Sequence, residues 1–90
     1  MHNFEWDTKK DILNQRKHGV SFIEAQDAFF DPKRIIRVDE LHSKDEERYF
    51  CFGKVREKIL TVRFTYRNKK IRIFGAAYWR EGKKLYDKEN

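Results

Sequence analysis

Ninety residues, 39% hydrophobic and 16% aromatic, suffice for one compact domain (residues 1–90) with a modest core, and exclude both a two-domain enzyme and a disordered chain. A lone Cys51 excludes an internal disulfide and a thiolate zinc cage. No apolar run approaches the roughly 20 residues that span a bilayer, and the polar, acidic start does not read as a secretory signal, so a cytoplasmic protein is expected. The net charge of +6 is unevenly spread: Met1 to Gly53 carries 9 Lys or Arg against 11 Asp or Glu, whereas Lys54 to Asn90 carries 12 against 4.

In chain order, Phe4-Glu5-Trp6 alternates as a short strand would, and Asp7 offers an N-cap to a helix that runs to His18 and stops at Gly19. Ser21-Phe22-Ile23-Glu24 is a capping box, so a second helix should run from Phe22 to about Phe30, with Phe22, Ala25, Ala28 and Phe29 inward, until Asp31-Pro32 ends it. The period then turns to alternation, placing strands at Arg34–Val38, Arg48–Gly53, Lys58–Tyr66 and Lys69–Ala76 with short polar connections. Trp79 to Asp87 should form a short closing helix, weakened by Gly82. This order predicts an α+β fold: an antiparallel sheet of about four strands, with the helices packed on one face.

Alternation in the third of these strands puts Leu60, Val62 and Phe64 on one face and Arg63 on the other, with Ile59, Thr61 and Thr65. In the fourth, Ile71 and Ile73 face the core while Lys70, Arg72 and Phe74 face away. A two-residue loop at Arg67-Asn68 would set Arg63 directly opposite Arg72, and a four-residue loop would make them diagonal neighbours. Opposed like charges are unfavourable on a sheet unless they share an anion, so the two arginines are read as one phosphate site. If Lys54-Val55-Arg56 forms the preceding turn, Phe50 lies opposite Leu60 in the core and Glu47 opposite Arg63. His18, beside Lys17 at a helix C-terminus, reads either as a general acid or as a cap satisfying terminal carbonyls.

His2, His18 and His42 are scattered and no metal-ligand spacing occurs, so no metal and no cofactor are expected. There is no glycine-rich phosphate loop and no nucleophile elbow. A basic C-terminal half interleaved with Phe64, Tyr66, Phe74, Tyr78, Trp79 and Tyr86 suits a surface that neutralises phosphates and stacks on bases. The chemistry that fits is metal-independent RNA cleavage, in which the substrate's own 2′-hydroxyl attacks the adjacent phosphate and the protein supplies orientation, proton transfer and positive charge.

Trp6-Asp7, Lys10, Asn14 and the run Lys17-His18-Gly19-Val20-Ser21-Phe22 resemble the opening pattern of the BrnT ribonuclease toxins. His42-Ser43, Glu46-Glu47-Arg48, Gly53, Leu60-Thr61-Val62 and Ile71-Arg72-Ile73 extend the resemblance over nearly the whole chain. It implies a RelE-like fold, an endoribonuclease that inhibits translation, and a co-encoded BrnA-type antitoxin through which alone DNA would be contacted. Many BrnT proteins carry a serine, an alanine and an arginine after the last strand; here Gly75-Ala76-Ala77 precedes Tyr78-Trp79-Arg80, and Arg80 is the candidate replacement. The expected catalytic set is therefore Arg63, Arg72, Tyr78, Arg80 and Glu47, with Lys17, His18, Lys70 and Trp79 binding RNA. A non-catalytic nucleic-acid-binding module, or a subunit of a DNA-binding repressor complex, would use the same basic face.

Overall fold

A computed structural model describes residues 3–90. Asp7 caps α1 (Thr8–His18), its carboxylate accepting from the amides of Lys9 at 2.8 Å and Lys10 at 3.3 Å, and Gly19 closes the helix with φ 69°. The capping box forms, with Glu24 N donating to Ser21 Oγ at 3.1 Å and Ser21 N donating to Glu24 Oε1 at 3.4 Å. The segment it starts is α2 (Phe22–Ala25), tightening at once into a 3-10 turn over Gln26–Phe30.

Strands β2 (Ile35–Val38), β3 (Tyr49–Val55), β4 (Lys58–Arg67) and β5 (Lys70–Ala77) form the expected antiparallel meander. The sheet nevertheless has five strands and is mixed, because β1 (Asn3–Trp6) adds to its far edge parallel to β5, in the order β1-β5-β4-β3-β2. Phe4 and Trp6 turn onto the larger core, and Glu5 turns to the opposite face with its partner Arg72.

That larger core holds Phe22, Ala25, Ala28 and Phe29 against Cys51, Leu60, Val62, Phe64, Ile71 and Ile73. The closing helix α3 (Arg80–Glu89) does not join it. It crosses to the other face, where Tyr86 and Leu85 pack on Ile35, Phe50, Phe52 and Ile59. The physical reason lies in β3: Phe50 and Phe52 alternate with Cys51 and Gly53, so both faces of that strand are apolar and each needs a cover. Gly82 allows the close approach of α3, since a Cβ there would lie 2.1 Å from Thr61 Oγ1. Tyr86 Oη locks the helix by donating to Asp31 Oδ2 at 2.5 Å.

The β3–β4 turn lies elsewhere than expected, and the β4–β5 hairpin takes the register of the longer-loop alternative. Arg56-Glu57 and Asn68-Lys69 are two-residue turns with positive φ throughout (51°, 68°, 53° and 62°). Phe50 consequently lies opposite Arg63 and not opposite Leu60. Arg72 lies opposite Thr65 and Arg63 opposite Gly75, with an extra residue, Phe74, bulged out of β5 between them. The arginines are thus diagonal, as the longer-loop register required, and are not directly opposed.

Candidate nucleic-acid interface

Because α3 covers only part of its face, the rest of that face stays open beside α1. The bulge turns Phe74 outward next to Gly75, and Asn14 of α1 holds the adjoining edge. Beyond the end of β1, its side-chain amide substitutes for a strand, donating to Ala76 O at 2.9 Å and accepting from Ala76 N at 3.1 Å. A third hydrogen bond, to Val20 O at 2.9 Å, fixes the helix terminus. These bonds satisfy buried backbone groups that would otherwise destabilise the strand end, and they set α1 as one wall of a cleft.

The cleft has a volume of ≈ 550 Å³ and is lined by Lys10, Leu13, Asn14, Lys17 and His18 of α1, by Arg48, Arg63, Phe74 and Gly75 of the sheet side, and by Trp79. Four permanent cations and a histidine therefore meet with no carboxylate among the lining residues. Arg48 and Lys10 lie over the Phe74 ring at 4.3 and 5.2 Å from its centroid, a cation–π arrangement that leaves outward donors free. Among the described residues Arg63, Lys10 and Lys17 make no ion pair, and Arg48 has only Glu46 at 3.7 Å. The His18 ring meets the Trp79 indole edge to face, centroids 5.6 Å apart.

Arg48 is brought there by the segment after β2. Asp39 N donates to Arg48 O at 2.7 Å, and Arg48 N donates to Ser43 Oγ at 2.8 Å, so the segment closes on itself just before β3. The match Glu46-Glu47-Arg48 marks this stretch, but the sequence assigns no role to Arg48 or Lys10, and Phe74 stands out in it only as one of the aromatics of the basic half. Arg48 stands two residues before Phe50, the partner of Arg63, and its place beside the cleft is visible only once that register is known.

Of the expected site residues, Arg63, Lys17, His18 and Trp79 converge on this cleft. Arg72 shares the face but is engaged by Glu5 at 3.3 Å. Lys70 opens β5, exposed beside the β4–β5 turn. Tyr78 and Arg80 line a neighbouring concavity with Lys54 and Lys58, on the other side of Trp79. Burial, aided by Glu24, raises the Tyr78 hydroxyl above the usual tyrosine range, so it stays protonated near neutrality. Glu47 is not opposite Arg63. Its carboxylate accepts from Tyr49 Oη at 2.8 Å, on the side of the larger core, because the β3–β4 turn is Arg56-Glu57 and not Lys54-Val55-Arg56, which slides the register by three residues. That hydrogen bond is the main cause of the raised Tyr49 hydroxyl. Cys51 is fully buried and its thiol is pushed up to about 12, which leaves it no nucleophilic role.

Among the described residues no group of three His, Cys, Asp or Glu side chains is placed to hold a metal ion, and no helix is long and apolar enough to cross a membrane. His2 lies outside the described residues.

Fold and cleft together define a small α+β protein with a carboxylate-free, aromatic-walled cationic surface. The chain belongs to the BrnT family: the family model described as "Ribonuclease toxin, BrnT, of type II toxin-antitoxin system" matches residues 6–82. No curated protein matches the chain.

Proposed function

We propose that the chain is the toxin of a type II toxin–antitoxin pair and an endoribonuclease that takes single-stranded RNA into the cleft between α1 and the sheet, thereby inhibiting translation in the cytoplasm. The observation that carries this reading is the meeting of Lys10, Lys17, Arg48 and Arg63 around Phe74 without a carboxylate. Cations with no carboxylate lining their cleft, beside partly exposed rings, suit alternating phosphates and bases.

In this reading Arg63 holds the scissile phosphate and meets the charge that builds on it as the 2′-hydroxyl attacks. Lys10, Lys17 and Arg48 hold flanking phosphates. His18, the histidine lining the cleft, moves a proton, and its edge-to-face contact with Trp79 limits the ring's orientations. Tyr78 and Arg80 bind the strand where it leaves the cleft past Trp79, and Lys70 and Arg72 add charge at the other end. Glu47 acts on the opposite face by orienting Tyr49. A co-encoded antitoxin of the BrnA type restrains the toxin by covering the cleft, and DNA is contacted only through that complex.

The test is cleavage of an end-labelled single-stranded RNA in the presence of a chelator. Cleavage should persist, yield products with a 2′,3′-cyclic phosphate, and weaken with salt. Four phosphate contacts give a slope of up to about 3 in log affinity against log salt for a single strand. Loss of activity on chelation would overturn the metal-independent reaction. Salt-dependent binding without any cleavage would leave a nucleic-acid-binding module in its place.

A further inference from the structure

Past Arg63 the same face continues into a second concavity of different character. Phe50, the cross-strand partner of Arg63, and Phe52, the partner of Thr61, line a groove of ≈ 450 Å³ together with Leu85 and Glu81 of α3. Trp79 closes it on the cleft side, and the same indole lines both hollows. The Phe50 and Phe52 rings are tilted by 31° with centroids 5.7 Å apart, giving the floor a nearly continuous aromatic surface. Thr61, beside them, has a buried hydroxyl with no hydrogen-bond partner among the described residues.

Nothing about this groove suits a phosphate, because among the described residues Glu81 is the one charged side chain lining it. A flat, neutral, apolar-faced group suits it well. Phe50 and Arg63 are a cross-strand pair, and such side chains stand about 5 Å apart at Cβ. A strand whose phosphate is held by Arg63 therefore presents its adjacent base at the mouth of the groove. Single-stranded RNA alternates anionic and aromatic groups, and this face alternates cationic and aromatic ones in adjoining hollows. A side chain of a protein partner would have no need of that adjacency.

We propose that the groove is a nucleobase subsite: one base next to the Arg63-bound phosphate leaves the strand and stacks against Phe50 and Trp79. This rests on the RNA reading of the cleft, and the experiment separates the two. Single-stranded 2′-O-methyl oligoribonucleotides, which lack the attacking hydroxyl, are bound at low salt while a single abasic position is walked along the strand.

The parent strand should bind, one abasic position should weaken binding about tenfold, and the others should matter little. Phe50→Leu, which keeps apolar bulk but removes the ring, should erase most of that position-specific penalty with the melting temperature checked in parallel. Trp79→Leu, at a more exposed position, should do the same. A parent strand bound with no position-specific penalty, or a penalty undiminished in both variants, overturns the subsite while leaving the cleft as an RNA site. Variants that keep the penalty but release the co-encoded antitoxin would make the groove a protein-docking face instead. No binding of the parent strand would overturn the RNA reading and the subsite with it.

Discussion

Arg63→Ala should lower RNA cleavage by about 10²- to 10³-fold, the usual cost of deleting a charge-stabilising donor, and should relieve growth inhibition to match. Stability should change by no more than about 0.5 kcal/mol, because Arg63 makes no ion pair among the described residues and its neighbours keep their own partners. Arg72→Ala provides the contrast. Its charge is already compensated by Glu5 at 3.3 Å on the paired strand β1, so its removal should cost activity far less, and stability by up to about 1 kcal/mol. Equal losses in the two variants would mean that both arginines grip one phosphate, as their diagonal placement permits. A fully active Arg63→Ala would remove the scissile phosphate from this face.

Gly53→Ala should destabilise the fold strongly without touching the cleft. A Cβ at this position would stand 2.2 Å from the carbonyl oxygen of Ala28 and 2.9 Å from its Cα, and backbone cannot swing aside as a side chain does. The 3-10 turn that supplies Ala28 and Phe29 to the core would have to lift off β3. Overpacking of this kind costs about 3 kcal/mol or more, which for a domain of this size lowers the melting temperature by roughly 10–20 °C. Thermal melting followed by circular dichroism measures it, and a variant that melts with the wild type would show that the turn is free to move. Activity should fall only in proportion to the folded fraction, which distinguishes this variant from Arg63→Ala.

Local signals in the sequence mark the structure closely: Asp7, Gly19 and the Ser21–Glu24 box stand at the ends they announce, and the alternation of β4 separates Leu60, Val62 and Phe64 from Arg63. What was not legible depends on register. Arg56-Glu57 adopts a turn with φ positive at both residues, a conformation that glycine, asparagine and aspartate usually mark, so nothing in the two residues announces it. Asn68 does carry the signal, as the first turn residue, and that position selects, of the two registers the sequence allows, the one that sets Arg72 opposite Thr65.

Two further features needed the three-dimensional arrangement. The bulge at Phe74 rests on no local breaker, and the pairing of β1 with β5 joins segments far apart in the chain. The position of α3 has one signal in the sequence, the unbroken apolar run Tyr49-Phe50-Cys51-Phe52, which demands cover on both faces. Gly82, read as a helix weakness, is the point of contact that brings α3 down on Thr61 and Phe52.

The measurement closest to the central claim is an NMR titration of the isotopically labelled protein with a single-stranded 2′-O-methyl oligoribonucleotide. The backbone amides of His18, Arg48, Arg63, Phe74 and Gly75 and the Trp79 indole should shift together, while β2 and the Asp31–Lys33 turn stay still. Shifts confined to the face of the larger core, or to Tyr78 and Arg80 with the cleft unmoved, would contradict it.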